Sequence, residues 1–201
     1  GSKVSTKIDV INFLLKKMDI IIIGGAMANT FVAAKGLDVG KSLFENECID
    51  LAKELIEKSQ NNNCNLILPT DFIVSKNLKK NAEYTTANFD SLPHNMMALD
   101  IGPKSIELIN KNINNCKTIL WNGPLGAFET YPFDKGTNKV ASHVSSLTKQ
   151  KKILSVAGGG DTVSALNNAK VLNDFSYVST AGGAFLEWLE GKVLPGIEPI
   201  S

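Results

Sequence analysis

The sequence predicts an α/β protein: a three-layer αβα sandwich around a mostly parallel sheet. Three observations predict it. Short β-branched or apolar runs alternate with amphipathic segments along the chain. The junctions between them are repeatedly glycine, as at Gly24-Gly25, Gly158-Gly159-Gly160 and Gly182-Gly183. The hydrophobic share, 43% of 201 residues, is enough to fill a core. A parallel strand needs a crossover to its neighbour, so alternating strands and helices place helices on both faces of a parallel sheet in a Rossmann-like arrangement. A single domain over residues 1–201 is expected.

The elements follow in order. Ile20-Ile21-Ile22-Ile23 is a strand ending at Gly24-Gly25, and a helix follows from about Met27 to Lys35, stopped by Gly36. Leu51, Ala52, Leu55 and Ile56 share one face of a helix over 49–59, and Cys64 to Leu68 is a strand closed by Pro69. The polar stretch 76–97, with Lys79, Lys80, Asn81, Asn88 and Asp90, breaks the rhythm and is expected to form a small excursion, a short hairpin and loop. A helix over 105–113 then leads to a strand over 118–121, which turns at Asn122-Gly123-Pro124. A helix over 139–147 leads to a strand over 153–157, broken by Gly158-Gly159-Gly160 before a helix from about Thr162 to Ala169. The last unit is a strand over 176–179, the break Ala181-Gly182-Gly183 and a helix over 184–190 closed by Gly191.

Composition excludes several classes. Twenty-one basic residues against 20 acidic leave a formal charge of +1, too little to attract nucleic acid or an anionic membrane, so any anion must be bound locally. Cys48, Cys64 and Cys116 are odd in number and lack a Cys-x-x-Cys pair, which suggests neither a disulfide framework nor a zinc site. The strongest apolar run is too short to cross a bilayer, and no signal-peptide pattern is present. A cytoplasmic monomer is expected. A start at Gly1 rather than Met reads as a piece of something longer.

The glycines suggest where chemistry sits. Parallel strands end at one edge, so the turns at Gly24, Asn122, Gly158 and Gly182 are expected along one rim, where open α/β sheets bind ligands. Three of those turns lead into helix starts, whose unpaired N–H groups attract phosphate. For any single cluster, a tight βα turn explains the glycines equally well. Asp161, after Gly158-Gly159-Gly160, is either an N-cap or a magnesium carboxylate, and Thr162 could donate its hydroxyl to a phosphate. Gly36-Leu37-Asp38-Val39-Gly40-Lys41-Ser42 imitates a Walker A loop but has three residues between its glycines instead of four. The dinucleotide fingerprint fails too, because Val163 stands where its last glycine belongs, which disfavours an NAD-dependent dehydrogenase.

At this point a resemblance covers the chain almost end to end. Gly1-Ser2-Lys3-Val4-Ser5-Thr6-Lys7, Ile23-Gly24-Gly25-Ala26-Met27-Ala28, Leu99-Asp100-Ile101-Gly102-Pro103, Trp121-Asn122-Gly123-Pro124, residues 157–162, residues 179–184 and residues 186–196 resemble the C-terminal half of a bacterial-type phosphoglycerate kinase in order and spacing. The resemblance implies reversible phosphoryl transfer from 1,3-bisphosphoglycerate to ADP, with Mg2+ and with ADP or ATP as substrate. It implies that Lys3 follows the moving phosphoryl group and that Lys7 grips nucleotide phosphate. Gly182 and Gly183 would offer helix-end amides to the transferred group, and Asn122, Gly159, Gly160 and Thr162 would surround the phosphates. Asp161 would be the magnesium-side carboxylate, Glu129 would accept the ribose hydroxyls, and Gly24, Gly25, Leu43, Leu99, Pro124 and Ala127 would line an adenine slot.

The same resemblance implies a partner, an N-terminal domain absent here that binds 3-phosphoglycerate or 1,3-bisphosphoglycerate, and a central apolar strand ahead of Gly1. The chain departs from the family at Ala26 and Ala181, where many members have glycine, at Met96-Met97-Ala98-Leu99 for Trp-Met-Gly-Leu, and at Leu78 for an aromatic. His94 and His143 are read as incidental. The alternative is an isolated nucleotide-binding module without catalysis of its own.

Overall fold

A computed structural model describes residues 3–181, 184, 185 and 187. Gly182, Gly183 and most of the helix expected over 184–190 lie outside the described residues. The elements are α1 (Ile8–Leu14), β1 (Ile20–Ile22), α2 (Ala26–Ala34), α3 (Ile49–Asn61), β2 (Asn65–Ile67), β3 (Asp71–Ser75), β4 (Thr85–Asn88), β5 (Met97–Ile101), α4 (Pro103–Ile113), β6 (Thr118–Trp121), α5 (Lys135–Lys149), β7 (Leu154–Gly158), α6 (Gly160–Asn168) and β8 (Tyr177–Ser179). The β-branched and apolar runs that predicted β1, β2, β6, β7 and β8 do form strands, and the amphipathic segments between them form helices.

The parallel strands fall into two sheets, β1-β2 and β6-β7-β8. Each has its own apolar cluster. Phe31, Val32, Ala52 and Leu55 pack around the first, and Ile109, Val140, Val144 and Leu166 around the second. An apolar cleft of about 230 Å³ runs between β1 and β6, lined by Ile21, Ile23, Ile119 and Trp121 with Val10 and Leu14 of α1. Helix α1 has an apolar face that pattern analysis of the sequence passed over: Val10 and Ile11 are buried, and Leu15 just beyond its end is 1% exposed.

The hairpin expected in the stretch between the two parallel halves is present and is part of a larger sheet. Part of the polar excursion is a strand, and β4-β3-β5 form a three-stranded antiparallel sheet. Its centre, β3, is buried at Asp71, Phe72, Val74 and Ser75. The polar residues at both ends of β3, Asp71 and Ser75, interrupt the apolar run by which a buried strand is read.

Those polar ends do structural work. Helix α4 starts without a side-chain cap of its own at Gly102. The Asp71 carboxylate supplies one from β3, accepting the Lys104 N–H at 3.1 Å and the Ser105 N–H at 2.7 Å. Ser105 reciprocates, its Oγ accepting the N–H groups of Thr70 and Asp71 at 2.9 and 3.0 Å. Gly102 leaves room for this, since a Cβ there would lie 2.3 Å from the Asp71 carboxyl carbon. Replacing Asp71 by Ala leaves buried N–H donors unpaired, and a loss of about 3 kcal/mol is expected. Urea denaturation measures it, and a change within about 0.5 kcal/mol, ordinary for a surface substitution, would refute this account of the joint.

Candidate functional site

The strand ends converge as the parallel pattern requires. Gly25 after β1, Asn122 after β6 and Gly159 after β7 line one cleft of about 500 Å³, and Leu99 of β5 joins them. Of the residues singled out by sequence, Lys7, Gly25, Leu43, Leu99, Asn122, Pro124, Ala127, Glu129, Gly159, Gly160, Asp161 and Thr162 all line this cleft. Gly24 lies behind it, in the apolar cleft beside β1, where a Cβ would meet Leu125 Cδ2 at 2.5 Å. Lys3 is exposed on the loop before α1 and is not part of the lining. Gly182 and Gly183 lie outside the described residues.

Two helices begin at the rim, α2 and α6. Each has a glycine N-cap at positive φ, Gly25 at 67° and Gly159 at 97°, and neither carries a side-chain cap. Only glycine adopts such backbone freely, and the first-turn N–H groups, unpaired within the helix, suit an anion. The N-cap reading of Asp161 is therefore corrected: Gly159 holds that position, and Asp161 lies exposed in the first turn of α6.

Around Gly159 the polar groups are already in order. Lys7 Nζ donates to Asn122 Oδ1 at 2.7 Å, and Asn122 Nδ2 donates to the Gly158 carbonyl at 2.8 Å. The buried Thr162 Oγ1 accepts the Gly123 N–H at 2.7 Å, and Trp121 Nε1 donates to the Gly123 carbonyl at 2.7 Å. These bonds tie the turns after β6 and β7 together and place one lysine beside them. A Cβ on Gly159 would lie 2.8 Å from Asn122 Nδ2, so the contact needs glycine as well as its φ.

The opposite wall is apolar. Leu43 is 68% exposed and Leu78 52%, both on the cleft, with Phe72, Ala98 and Leu99 nearby. Exposed leucines beside a cleft offer a surface for a flat apolar ligand face. Asn29 of α2 steadies this wall by donating from Nδ2 to the Leu43 carbonyl at 3.0 Å.

Asp100 is a lining residue that sequence reading did not assign a role. It is 2% exposed, with Oδ2 accepting the Gly136 N–H at 2.6 Å and Oδ1 the Ile101 N–H at 2.9 Å. Burial pushes its carboxyl up to about 7, against the pull of those two N–H groups and with a smaller push from Asp134. Cβ atoms on Gly126 or Gly136 would lie 2.3 and 2.4 Å from its Oδ1. Those two glycines are the signal that could have found it.

The rejected motifs sit elsewhere. Gly40, the second glycine of the Walker-like stretch, has φ 58° and donates its N–H to Asp38 Oδ1, and a Cβ there would lie 2.5 Å from the Pro93 carbonyl oxygen. It closes a loop. His94 faces Asp38, and His143 pairs with Asn114 at 2.8 Å, both away from the cleft. The three cysteines are free, and burial pushes each thiol up, away from the reactive thiolate. Among the described residues no three His, Cys, Asp or Glu side chains gather as a metal cage, and no helix is long and apolar enough to cross a membrane.

Comparison with known proteins agrees along the whole length. A family model described as phosphoglycerate kinase matches residues 1–192. The phosphoglycerate kinase of Methylorubrum extorquens (strain PA1) is 54% identical over 200 residues, covering 100% of this chain and 50% of the relative. That of Rhizobium meliloti (strain 1021) is 52% identical over 198 residues, covering 98% and 50%. Among solved structures, phosphoglycerate kinase from Coxiella burnetii superposes with a TM-score of 0.93 at 45% identity, over 98% of this chain and 50% of that one. Phosphoglycerate kinase from Pyrococcus horikoshii OT3 superposes at 0.82 and 26% identity, over 98% and 49%. The chain spans about half the length of the curated relatives it matches.

Proposed function

The chain belongs to the phosphoglycerate kinase family, and from that premise we propose that it is the nucleotide-binding half of a kinase moving a phosphoryl group between 1,3-bisphosphoglycerate and ADP. The carrying observation is that residues singled out from widely separated stretches of the sequence, Lys7, Leu43, Asn122, Glu129 and Asp161 among them, line a single cleft.

In this reading the purine face lies against Leu43, Leu99, Pro124 and Ala127, with the ribose hydroxyls on Glu129. The phosphates approach the glycine rim of α6, where Gly159, Gly160, Asn122 and Thr162 surround them and Lys7 neutralises charge. Phosphoryl transfer depends on positioning and charge neutralisation, which a fixed lysine and helix-end amides supply. Lys3 and the amides of Gly182 and Gly183 are assigned to the moving group. The phosphoglycerate seat belongs to the half of the relatives that this chain does not span.

The donor set fits magnesium. Mg2+ is usually held by one or two carboxylates together with nucleotide phosphates and water, so a single exposed carboxylate beside a phosphate rim is sufficient. Asp161 is that carboxylate, and the ion would neutralise charge shared between phosphate oxygens.

Thermal shift with saturating Mg-ADP, Mg-ATP and NAD in turn tests the proposal. At a hundredfold excess over Kd, linkage gives about 2.7 kcal/mol, which at roughly 2–4 °C per kcal/mol for a domain of this size is a rise of about 5–11 °C for either Mg-nucleotide. NAD is expected to give none, and stabilisation by NAD alone would reject the reading. Asp161→Asn keeps shape and removes charge, so nucleotide affinity is expected to fall about tenfold, ~1.4 kcal/mol, in magnesium and to change little in EDTA. An equal loss in both solutions would remove Asp161 from the metal site.

A further inference from the structure

The loop that carries both lysines is held by a residue outside every motif. Glu45 follows the exposed Leu43 wall, and its side chain reaches back 41 positions in sequence. Its Oε2 accepts the Val4 N–H at 2.5 Å and the Ser5 N–H at 3.1 Å, while Oε1 accepts the Ser5 hydroxyl at 2.5 Å. The backbone of Glu45 is itself pinned. Its N–H donates to the buried Thr30 hydroxyl of α2 at 3.0 Å, and its carbonyl accepts the Cys48 N–H at 3.1 Å. Burial opposes the charge on Glu45, yet the Ser5 and Val4 donors and the Lys3 charge together hold its carboxyl below the usual range, as expected for a carboxylate gathering several N–H groups.

We propose that Glu45 is a positioning residue for phosphate recognition: it latches the loop bearing Lys3 and Lys7 to the wall of the cleft that bears Leu43. This rests on the nucleotide reading given above. The exposed Lys3 and the half-buried Lys7 would otherwise be presented by a mobile loop, and ordering them at the moment of binding costs affinity. Here Val4 is fully buried in the first core cluster, and Lys7 closes the turn by donating its N–H to the Val4 carbonyl at 2.9 Å. Among the described residues no ion pair joins Glu45 to Lys3, so the carboxylate, its oxygens taken by backbone and hydroxyl donors, attracts Lys3 only at a distance and leaves its ammonium available to a phosphate. One end of the latch is the lysine loop and the other is the apolar wall, and because the wall end is also held by Thr30 and Asn29 of α2, the loop is the end that loss of the carboxylate frees.

The test combines amide hydrogen exchange with calorimetric titration of Mg-ADP on this chain. Glu45→Ala is expected to remove protection at Val4 and Ser5 while leaving the amides of α3 and β6 unchanged, and to raise the Mg-ADP Kd about tenfold. Glu45→Gln, which keeps one carbonyl oxygen for the N–H donors, should fall between. In a Lys7→Ala background the same Glu45→Ala change is expected to alter Kd less than about twofold, because the lysine it positions is gone. Full additivity of the two substitutions, or lost protection with an unchanged Kd, would leave Glu45 a structural residue and overturn the proposal. A wild-type chain that fails to bind Mg-ADP would count against the nucleotide reading, and intact protection at Val4 and Ser5 in Glu45→Ala would count against the latch.

Discussion

In a coupled assay with ATP and 3-phosphoglycerate, this chain alone is expected to turn over at least about a thousandfold more slowly than the same chain joined by the half of the Methylorubrum extorquens relative that it does not span. Holding two reactants in line is worth about 7–11 kcal/mol. Losing roughly 4 kcal/mol of that is already a factor of about a thousand at 1.36 kcal/mol per tenfold. On the proposed reading the cleft seats the nucleotide. Among the described residues its charged lining is Lys7, Asp100, Glu129 and Asp161, a single cation against three carboxyl groups, a poor match for a second anionic reactant. The sequence contains no arginine, so all 21 of its basic residues are lysines, and the planar guanidinium fork that binds phosphate or carboxylate bidentately is missing. The second reactant is therefore expected to meet the first by diffusion, without a second domain to shut out water. Lys3→Ala serves as the control for both measurements. Lys3-dependent turnover by the isolated chain at a rate near that of the joined halves would overturn the division of labour, and equal silence from the joined halves would favour a nucleotide-binding module without catalysis.

The features legible in the sequence were those encoded locally. The isoleucine run of β1 and the amphipathic face of α3 predicted their elements because period and composition lie within a few residues. The glycines at 25 and 159 were legible because only glycine is at ease at φ 67° and 97°. Strand β3 was not, since Asp71 and Ser75 are polar at its ends, and Asp71 finds its hydrogen-bond partner in Ser105, 34 residues on, which no local pattern shows. Resemblance supplied Lys7 and Glu129, which composition alone would leave as solvated charges. Glu45 and Asp100 escaped both approaches. Each is a lone carboxylate with a donor far off in the chain, Val4 for Glu45 and Gly136 for Asp100, 41 and 36 residues away, and no spacing rule reaches that far.

Asp100 also fixes how stability depends on pH. Its folded-state pKa of about 7 lies above the ordinary 3.8, so between those values the folded chain binds more proton than the unfolded chain. The stabilisation is complete below about pH 3.8 and is lost progressively as pH rises to about 7. At 1.36 kcal/mol per unit the whole window is worth about 4 kcal/mol, of which roughly 3 kcal/mol falls between pH 5 and 8. Other shifted groups act outside that interval. Glu45 and Asp174 have lowered values and contribute stability that is lost only as pH falls through the acid range, while the three thiols are raised above 9. Urea midpoints are therefore expected to fall by about 1–2 M from pH 5 to pH 8, taking an m-value of about 2 kcal/mol/M. Asp100→Asn mimics the neutral acid at every pH. It forfeits one N–H acceptor throughout, a constant cost of about 1–3 kcal/mol, but its stability should be flat across the interval. The variant is thus less stable than the wild-type chain at pH 5 and draws level with it or passes it by pH 8, because the wild-type chain must then bury a charge between Gly126 and Gly136 that the variant never carries. Parallel slopes for the two proteins would mean that Asp100 is already ionised at pH 5, held so by the Gly136 and Ile101 N–H groups, and that its two hydrogen bonds outweigh its burial.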